Sequence, residues 1–219
     1  MQASDEALRV VLADDHHFFR EGLRRMLTLD GMTVVGEATD GARAVTLAHE
    51  LTPDVVVIDL KMPNVSGVDA IRQIAGPDSD TNLVVLTVSA DESDAIQALA
   101  AGACGYLLKD THPDELVGSI RLAADGHAVL SREVVRALVA RVRADNHSSA
   151  QATGNEYALT ERELEIMRMI VDGANNAMIG RALSISKHTV KQHVTNIFEK
   201  LGVQSRVQAA VYAVRKGLV

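Results

Sequence analysis

Cysteine is almost absent from this chain. Cys104 is the only one among 219 residues, which excludes an internal disulfide and a cysteine-rich zinc site. It lies in the strand-like run Ala103-Cys104-Gly105-Tyr106-Leu107-Leu108 and reads as a small buried residue. No apolar run is long enough to span a bilayer, although 47% of the residues are hydrophobic. The opening Met1-Gln2-Ala3-Ser4-Asp5-Glu6 is acidic and lacks the apolar stretch of a signal peptide. A soluble, cytoplasmic protein with no membrane partner is expected. The eight histidines do not form a metal-binding pattern, and His16 and His17 read as the start of a helix.

What is present is unevenly charged. The net charge of −7 combines 9 Lys+Arg and 21 Asp+Glu in residues 1–126 with 13 and 8 in residues 127–219. An acidic first half joined to a basic second half suggests that only the second meets a polyanion. The length suits two modest domains, each able to bury a core.

The first half alternates strand and helix patterns. Strand-like runs begin near Arg9, Met32, Asp54, Asn82 and Ala103, separated by amphipathic segments. Five strands and five helices in strict alternation predict an α/β fold, a doubly wound five-stranded parallel sheet. Ligands bind such sheets beyond the carboxyl ends of the strands. Asp14 and Asp15 follow Val10-Val11-Leu12-Ala13, and Asp59 follows Val55-Val56-Val57-Ile58. Carboxylates converging there repel one another unless a cation joins them, and hard oxygen ligands suit Mg²⁺. Two later strands end in Thr87 and Lys109. Three acids, a hydroxyl and a lysine at successive strand ends make a phosphoryl-handling site.

After Gly126 the rhythm changes. Ser131 is a candidate N-cap for a helix running to about Arg143, followed by a polar, small-residue linker over 144–155. The remainder reads as helices only. Thr160 and Glu163 form a capping box. A short helix spans Asn176 to Leu183, Ser184-Ile185-Ser186 turns the chain, and Ser186 caps the next helix. Gly202 ends that helix and Ser205 starts a last one.

Short helix, tight turn and polar-striped helix is the helix-turn-helix arrangement, whose second helix enters the major groove. Lys191, Gln192 and Thr195 are placed to reach base edges. Ser186, Lys187, Thr189 and His193 are placed for phosphate contacts. The segment Leu159-Thr160-Glu161-Arg162-Glu163, with Ile185 to Val203 and Arg206, Gln208 and Ala209, resembles the LuxR-type four-helix DNA-binding domain. It departs from that family at Asn176-Ala177-Met178-Ile179-Gly180, which lacks the usual lysine and its charged partner.

Asp14-Asp15, Asp59 through Gly67, Leu86 through Ala90 and Tyr106 through Asp110 resemble a two-component receiver domain. The whole chain is similar to response regulators of the NarL/FixJ type. The resemblance implies residues 1–126 as receiver, 127–158 as linker helix and linker, and 159–219 as DNA-binding domain. It implies Asp59 as the phosphoacceptor. Mg²⁺ is then held by Asp15, Asp59 and the main-chain carbonyl of Lys61, with Asp14 acting through water. Lys109 and Thr87 contact the phosphoryl group, and Tyr106 rotates inward as a switch. Ser89 and Lys61 flank the phosphoryl site and bear on the lifetime of the phosphorylated state.

The implied partners are a sensor histidine kinase, double-stranded DNA with paired half-sites, and a second copy of the chain when phosphorylated. RNA polymerase is a further candidate partner. The acidic receiver is expected to cover the basic recognition helix in the inactive state. No enzyme activity is expected beyond acceptance and loss of the chain's own phosphoryl group. Two rivals stand: an α/β phosphatase, which usually carries Asp-x-Asp after its first strand, and a binding protein indifferent to phosphorylation.

Overall fold

The computed structural model describes residues 7–76, 79, 81–131, 134–135, 159–174, 176–203 and 206–218. In the first half, β1 (Arg9–Ala13), β2 (Thr33–Ala38), β3 (Val55–Ile58), β4 (Asn82–Thr87) and β5 (Gly105–Leu108) alternate with five helices. These are α1 (His17–Leu29), α2 (Gly41–Leu51), α3 (Gly67–Ile74), α4 (Glu92–Ala101) and α5 (Pro113–Ala124). All pairings are parallel, in the order β2-β1-β3-β4-β5-β6. That is the flavodoxin-like order with one strand added.

The added strand corrects the expected count of five. β6 (Val129–Leu130) pairs with β5 through Gly105↔Val129 and Tyr106↔Leu130. Two residues cannot show a period of two in sequence. The open edge of β5 recruits them, because its main-chain groups need partners.

Alternation along each strand builds two cores. Val11, Val56, Ile58, Val85 and Tyr106 pack against α2, α3 and α4. Val10, Leu12, Val57, Leu86 and Leu107 pack against α1 and α5. Full burial of each such side chain contributes ~1.5–3 kcal/mol, which makes the central strands the rigid support of the site. Asp40, Ser66 and Asp91 cap α2, α3 and α4 by accepting main-chain N–H bonds.

Among the described residues from 159 onward, the helices are α6 (Glu161–Val171), α7 (Asn176–Leu183), α8 (Lys187–Leu201) and α9 (Arg206–Arg215). The Thr160–Glu163 capping box is present. Ser186 caps α8 by accepting from Thr189 N, and Gly202 ends it at φ 65°. Ile166, Met167, Ile179, Val190 and Ile197 form the centre of a separate core. Buried Glu163 accepts both main-chain and hydroxyl bonds from Thr160 and pairs with Lys200 at 2.7 Å, tying α6 to α8.

Ser131 keeps its expected role, its Oγ accepting from Val134 N at 3.5 Å. The rest of that helix, the linker and Ser205 lie outside the described residues, as does the side chain of Lys187. The peptide from Lys109 to Asp110 is trans, like every described peptide bond. No helix among the described residues is long and apolar enough to cross a membrane.

Candidate functional site

The register of the sheet brings the chemistry together. Ala13 pairs with Ile58, and Thr87 with Leu108, so the residues that follow emerge at one edge. Main-chain bonds continue past the strands, from Asp59 N to Ala13 O at 2.8 Å and from Lys109 N to Thr87 O at 2.9 Å. Asp14, Asp59 and Thr87 are buried, and Asp15 stands exposed at the mouth.

Lys109 is the hub of the pocket. Its Nζ lies 2.7 Å from Asp14 Oδ2 and 2.6 Å from Asp59 Oδ2. It also lies 4.6 Å from the centre of the Phe19 ring. Burial alone pushes a lysine down, but the hydrogen bonds and charges of Asp14 and Asp59 outweigh it and raise Lys109. Lys109 therefore stays cationic at neutral pH. Arg20, buried on α1, donates to the carbonyl of Asp14 at 2.6 Å and to Glu37 at 2.8 Å, bracing the first acid from behind. Gly67 lets the chain pass directly under Asp59. A Cβ there would stand 2.1 Å from Asp59 O.

Asp14, Asp15, His16 and Asp59 each offer a ligand atom within 4.8 Å of the others. Three carboxylates and one ammonium leave a surplus of two negative charges, which one divalent cation balances. The donor set thus fits Mg²⁺. Lys61 is close, its main-chain N–H 3.4 Å from Asp59 Oδ1. His16 was not foreseen in this group. Its Nδ1 lies 2.7 Å from Asp15 Oδ1, and its main-chain N–H bonds Asp14 Oδ1 at 2.9 Å. The signal available in sequence was only its position directly after the acid pair.

The resemblance implies that Tyr106 turns inward once phosphate arrives. Here its ring is already fully buried, with the hydroxyl donating to Ser89 O at 2.9 Å. Burial, with the nearby charge of Asp94, pushes this phenol up to about 12. Thr87 Oγ1 accepts from Ser89 N at 3.3 Å. The 87–89 turn is thus held from both sides.

On the helix-turn-helix unit, Ser186 and Gln192 are exposed, while Thr189, Lys191, His193 and Thr195 are half-buried. Ser186 Oγ and Thr189 Oγ1 are bonded to each other at 2.8 Å, so the turn is preorganised. His188, Lys191, Thr195 and Phe198 line a cleft of about 570 Å³ whose other wall includes Asp54, Asn82 and Asp125 of the receiver. Two of the three expected base-reading residues, Lys191 and Thr195, therefore face the first domain. That wall is the amino edge of the sheet, opposite the acid pocket. Beside the cleft, the Gln208 side chain donates to the carbonyls of Leu99 and Ala100 in the last turn of α4. Val207 packs on the adjacent core.

An acid pocket on a flavodoxin-like sheet, followed by a helix-turn-helix unit, defines a class of signal-responsive DNA-binding proteins. Comparison with known proteins agrees. Residues 10–121 match the response regulator receiver domain, and residues 157–213 match the bacterial regulatory proteins of the luxR family. The chain is 43% identical over 213 residues to the transcriptional regulatory protein LiaR of Bacillus subtilis, covering 97% of this chain and 99% of LiaR. It is 37% identical to the nitrate/nitrite response regulator protein NarL of Escherichia coli K12, covering 96% of each. Among solved structures, the response regulator ChrA of a heme-sensing two-component system is similar at 36% identity and a TM-score of 0.52. That match covers 97% of this chain and 99% of ChrA. The chain belongs to the two-component response regulators that carry a LuxR-type DNA-binding domain.

Proposed function

We propose that Asp59 accepts a phosphoryl group from a partner histidine kinase and that this controls dimerisation and DNA binding. The observation that carries the reading is the Lys109 bridge to Asp14 and Asp59, 2.7 and 2.6 Å long, in an acid pocket with an unbalanced double negative charge. An Asp59 oxygen attacks phosphorus as the bond to the kinase's histidine nitrogen breaks. Lys109 takes a phosphoryl oxygen, and the Thr87 hydroxyl donates to another. Mg²⁺, held by Asp14, Asp15, Asp59 and the Lys61 carbonyl, supplies charge neutralisation when bound. The chain catalyses only this acceptance and the later loss of the phosphoryl group to water, and it works in the cytoplasm.

Residues 1–126 form the receiver, 127–158 the connection and 159–219 the DNA reader. Lys191, Gln192 and Thr195 read bases, while Ser186, Lys187, Thr189 and His193 hold phosphates on paired half-sites one helical turn apart. RNA polymerase is the further partner of such a dimer. The cleft supports a closed inactive form, since a helix facing Asp54 and Asp125 is not free to enter a groove. Helix α4 is suited to link the two ends. Its first turn adjoins the 87–89 turn, and its last turn is held by Gln208.

The test is Mg²⁺-dependent phosphorylation by a small phosphodonor, read by intact mass and by oligomer mass. One added phosphate, absent in Asp59→Asn and accompanied by dimerisation, is expected. No phosphate at any Mg²⁺ concentration would sink the reading.

A further inference from the structure

We infer that Asp94 is a positioning residue that fixes the Ser89 hydroxyl and thereby prolongs the life of the phosphoryl group on Asp59. The inference rests on Asp59 being the phosphoacceptor.

Ser89 lies two residues after Thr87, whose hydroxyl its main-chain N–H bonds, and each of its polar groups is engaged. Its N–H donates to Thr87 Oγ1 at 3.3 Å, and its carbonyl accepts from Tyr106 Oη at 2.9 Å. Its hydroxyl donates to Asp94 Oδ2 at 2.6 Å and accepts from Asp91 N at 3.3 Å. The first of these hydroxyl bonds has the short length of a charge-assisted O–H···O⁻ bond. A serine hydroxyl has one proton to give, and Asp94 takes it.

Capping of α4 does not explain this carboxylate. Asp91 already caps the helix, accepting from Ser93 N at 2.7 Å. Asp94 lies in the first turn of α4, and its carboxylate is turned toward Ser89. Its charge also contributes to the raised pKa of Tyr106, so it is felt at the ring as well as at the hydroxyl.

The consequence falls on hydrolysis of the acyl phosphate. A water oxygen forms the new bond to phosphorus as the bond from phosphorus to the Asp59 oxygen breaks. The electron pair returns to the carboxylate, inorganic phosphate leaves, and the water's proton passes to solvent. A Ser89 hydroxyl bound to Asp94 has no proton to offer the attacking water or the phosphoryl oxygens. Once released from Asp94, it can orient that water.

The experiment follows phosphate loss from the full-length chain by intact mass after removal of the phosphodonor. Asp94→Ala should shorten the half-life about tenfold, equal to ~1.4 kcal/mol off the barrier. Asp94→Asn keeps an acceptor oxygen and should stay within about threefold of wild type, a neutral bond being weaker. In a Ser89→Ala background, Asp94→Ala should add nothing, because the shared partner is gone. A second reading uses ¹⁹F spectra of the fluorotyrosine-labelled, unphosphorylated chain, with the Tyr106 line assigned through Tyr106→Phe. That line should move in Asp94→Ala and move less in Asp94→Asn, which loses the charge but keeps the bond that holds Ser89. An unchanged half-life in Asp94→Ala, or an effect that persists without Ser89, would overturn the inference. An unmoved Tyr106 line would do so independently of phosphate. Failure of the wild type to take phosphate would remove the Asp59 reading and the lifetime claim together.

Discussion

Lys109 and Asp59 form a buried ion pair of 2.6 Å at the carboxyl edge of the sheet. Removing one member of such a pair leaves an uncompensated buried charge, at a cost of ~3 kcal/mol. Lys109→Met should lose about that much stability in urea melts without divalent cations, and millimolar Mg²⁺ should restore part of it. The pair is also pH-dependent with a definite sign. Lys109 is raised above its ordinary 10.5 on folding. Its contribution is therefore complete below about 10.5 and is lost as pH rises through the higher folded value. The gap between variant and wild type should be constant from neutrality to about pH 10 and close only above that.

Gly67 gives a second, steric test of the pocket. A methyl at this position would overlap Asp59 O and the Leu60 Cα at 2.1 and 2.7 Å. Both are main-chain atoms in a tightly packed turn and cannot yield as a flexible side chain would. Gly67→Ala should cost ~3 kcal/mol, the upper range for overpacking, and should slow phosphate uptake by moving Asp59. Denaturation and intact-mass kinetics on one sample read both effects.

In the DNA-binding half the sensitive carboxylate is Glu163. Burial opposes its charged form, but Lys200 and the two bonds from Thr160 hold it below its ordinary 4.5. Its stabilisation is present above about pH 4.5 and is lost as pH falls through the lower folded value. Glu163→Gln should destabilise α6 and α8 by ~2 kcal/mol at pH 7, from the cap and the pair together. The difference should shrink at pH 3.5. Helical circular dichroism in urea at the two pH values checks it.

Gln208 tests the closed arrangement. Its side chain donates to the carbonyls of Leu99 and Ala100 in the last turn of α4 and so ties that turn to the second domain. Gln208→Ala should raise the affinity of the unphosphorylated chain for its DNA about fivefold, as loss of ~1 kcal/mol from one state predicts. The phosphorylated chain should be unaffected. Equal affinity of wild type and variant before phosphorylation would argue that Gln208 does not hold the closed form.

Much of this site was legible because its residues sit where strands stop. Val10–Ala13 and Val55–Ile58 announce their strands by composition, so Asp14, Asp15 and Asp59 could be aligned without coordinates. The capping box at Thr160 and the glycine stop at Gly202 were equally local. What escaped was non-local or too short to carry a pattern. Val129–Leu130 become a strand only because β5 offers an edge. Arg20 reads as one charge on an amphipathic helix, and only the fold brings it to the carbonyl of Asp14. The inward position of Tyr106 depends on Ser89 O, 17 residues away. The facing of Lys191 and Thr195 toward the receiver depends on how two domains meet, which no periodicity encodes.

The Gln208 contact joins two parts of a single chain, separated in sequence by the 27 residues 132–158. Covalent linkage of two domains can raise the local concentration of each for the other to the order of millimolar. An interface too weak to hold separate molecules together at micromolar concentration is then closed most of the time. For an interface near that balance, a change of ~1–2 kcal/mol at the far edge of the sheet suffices to reverse it. The two domains supplied as separate polypeptides would not find each other, and the DNA-binding one would act as though permanently switched on.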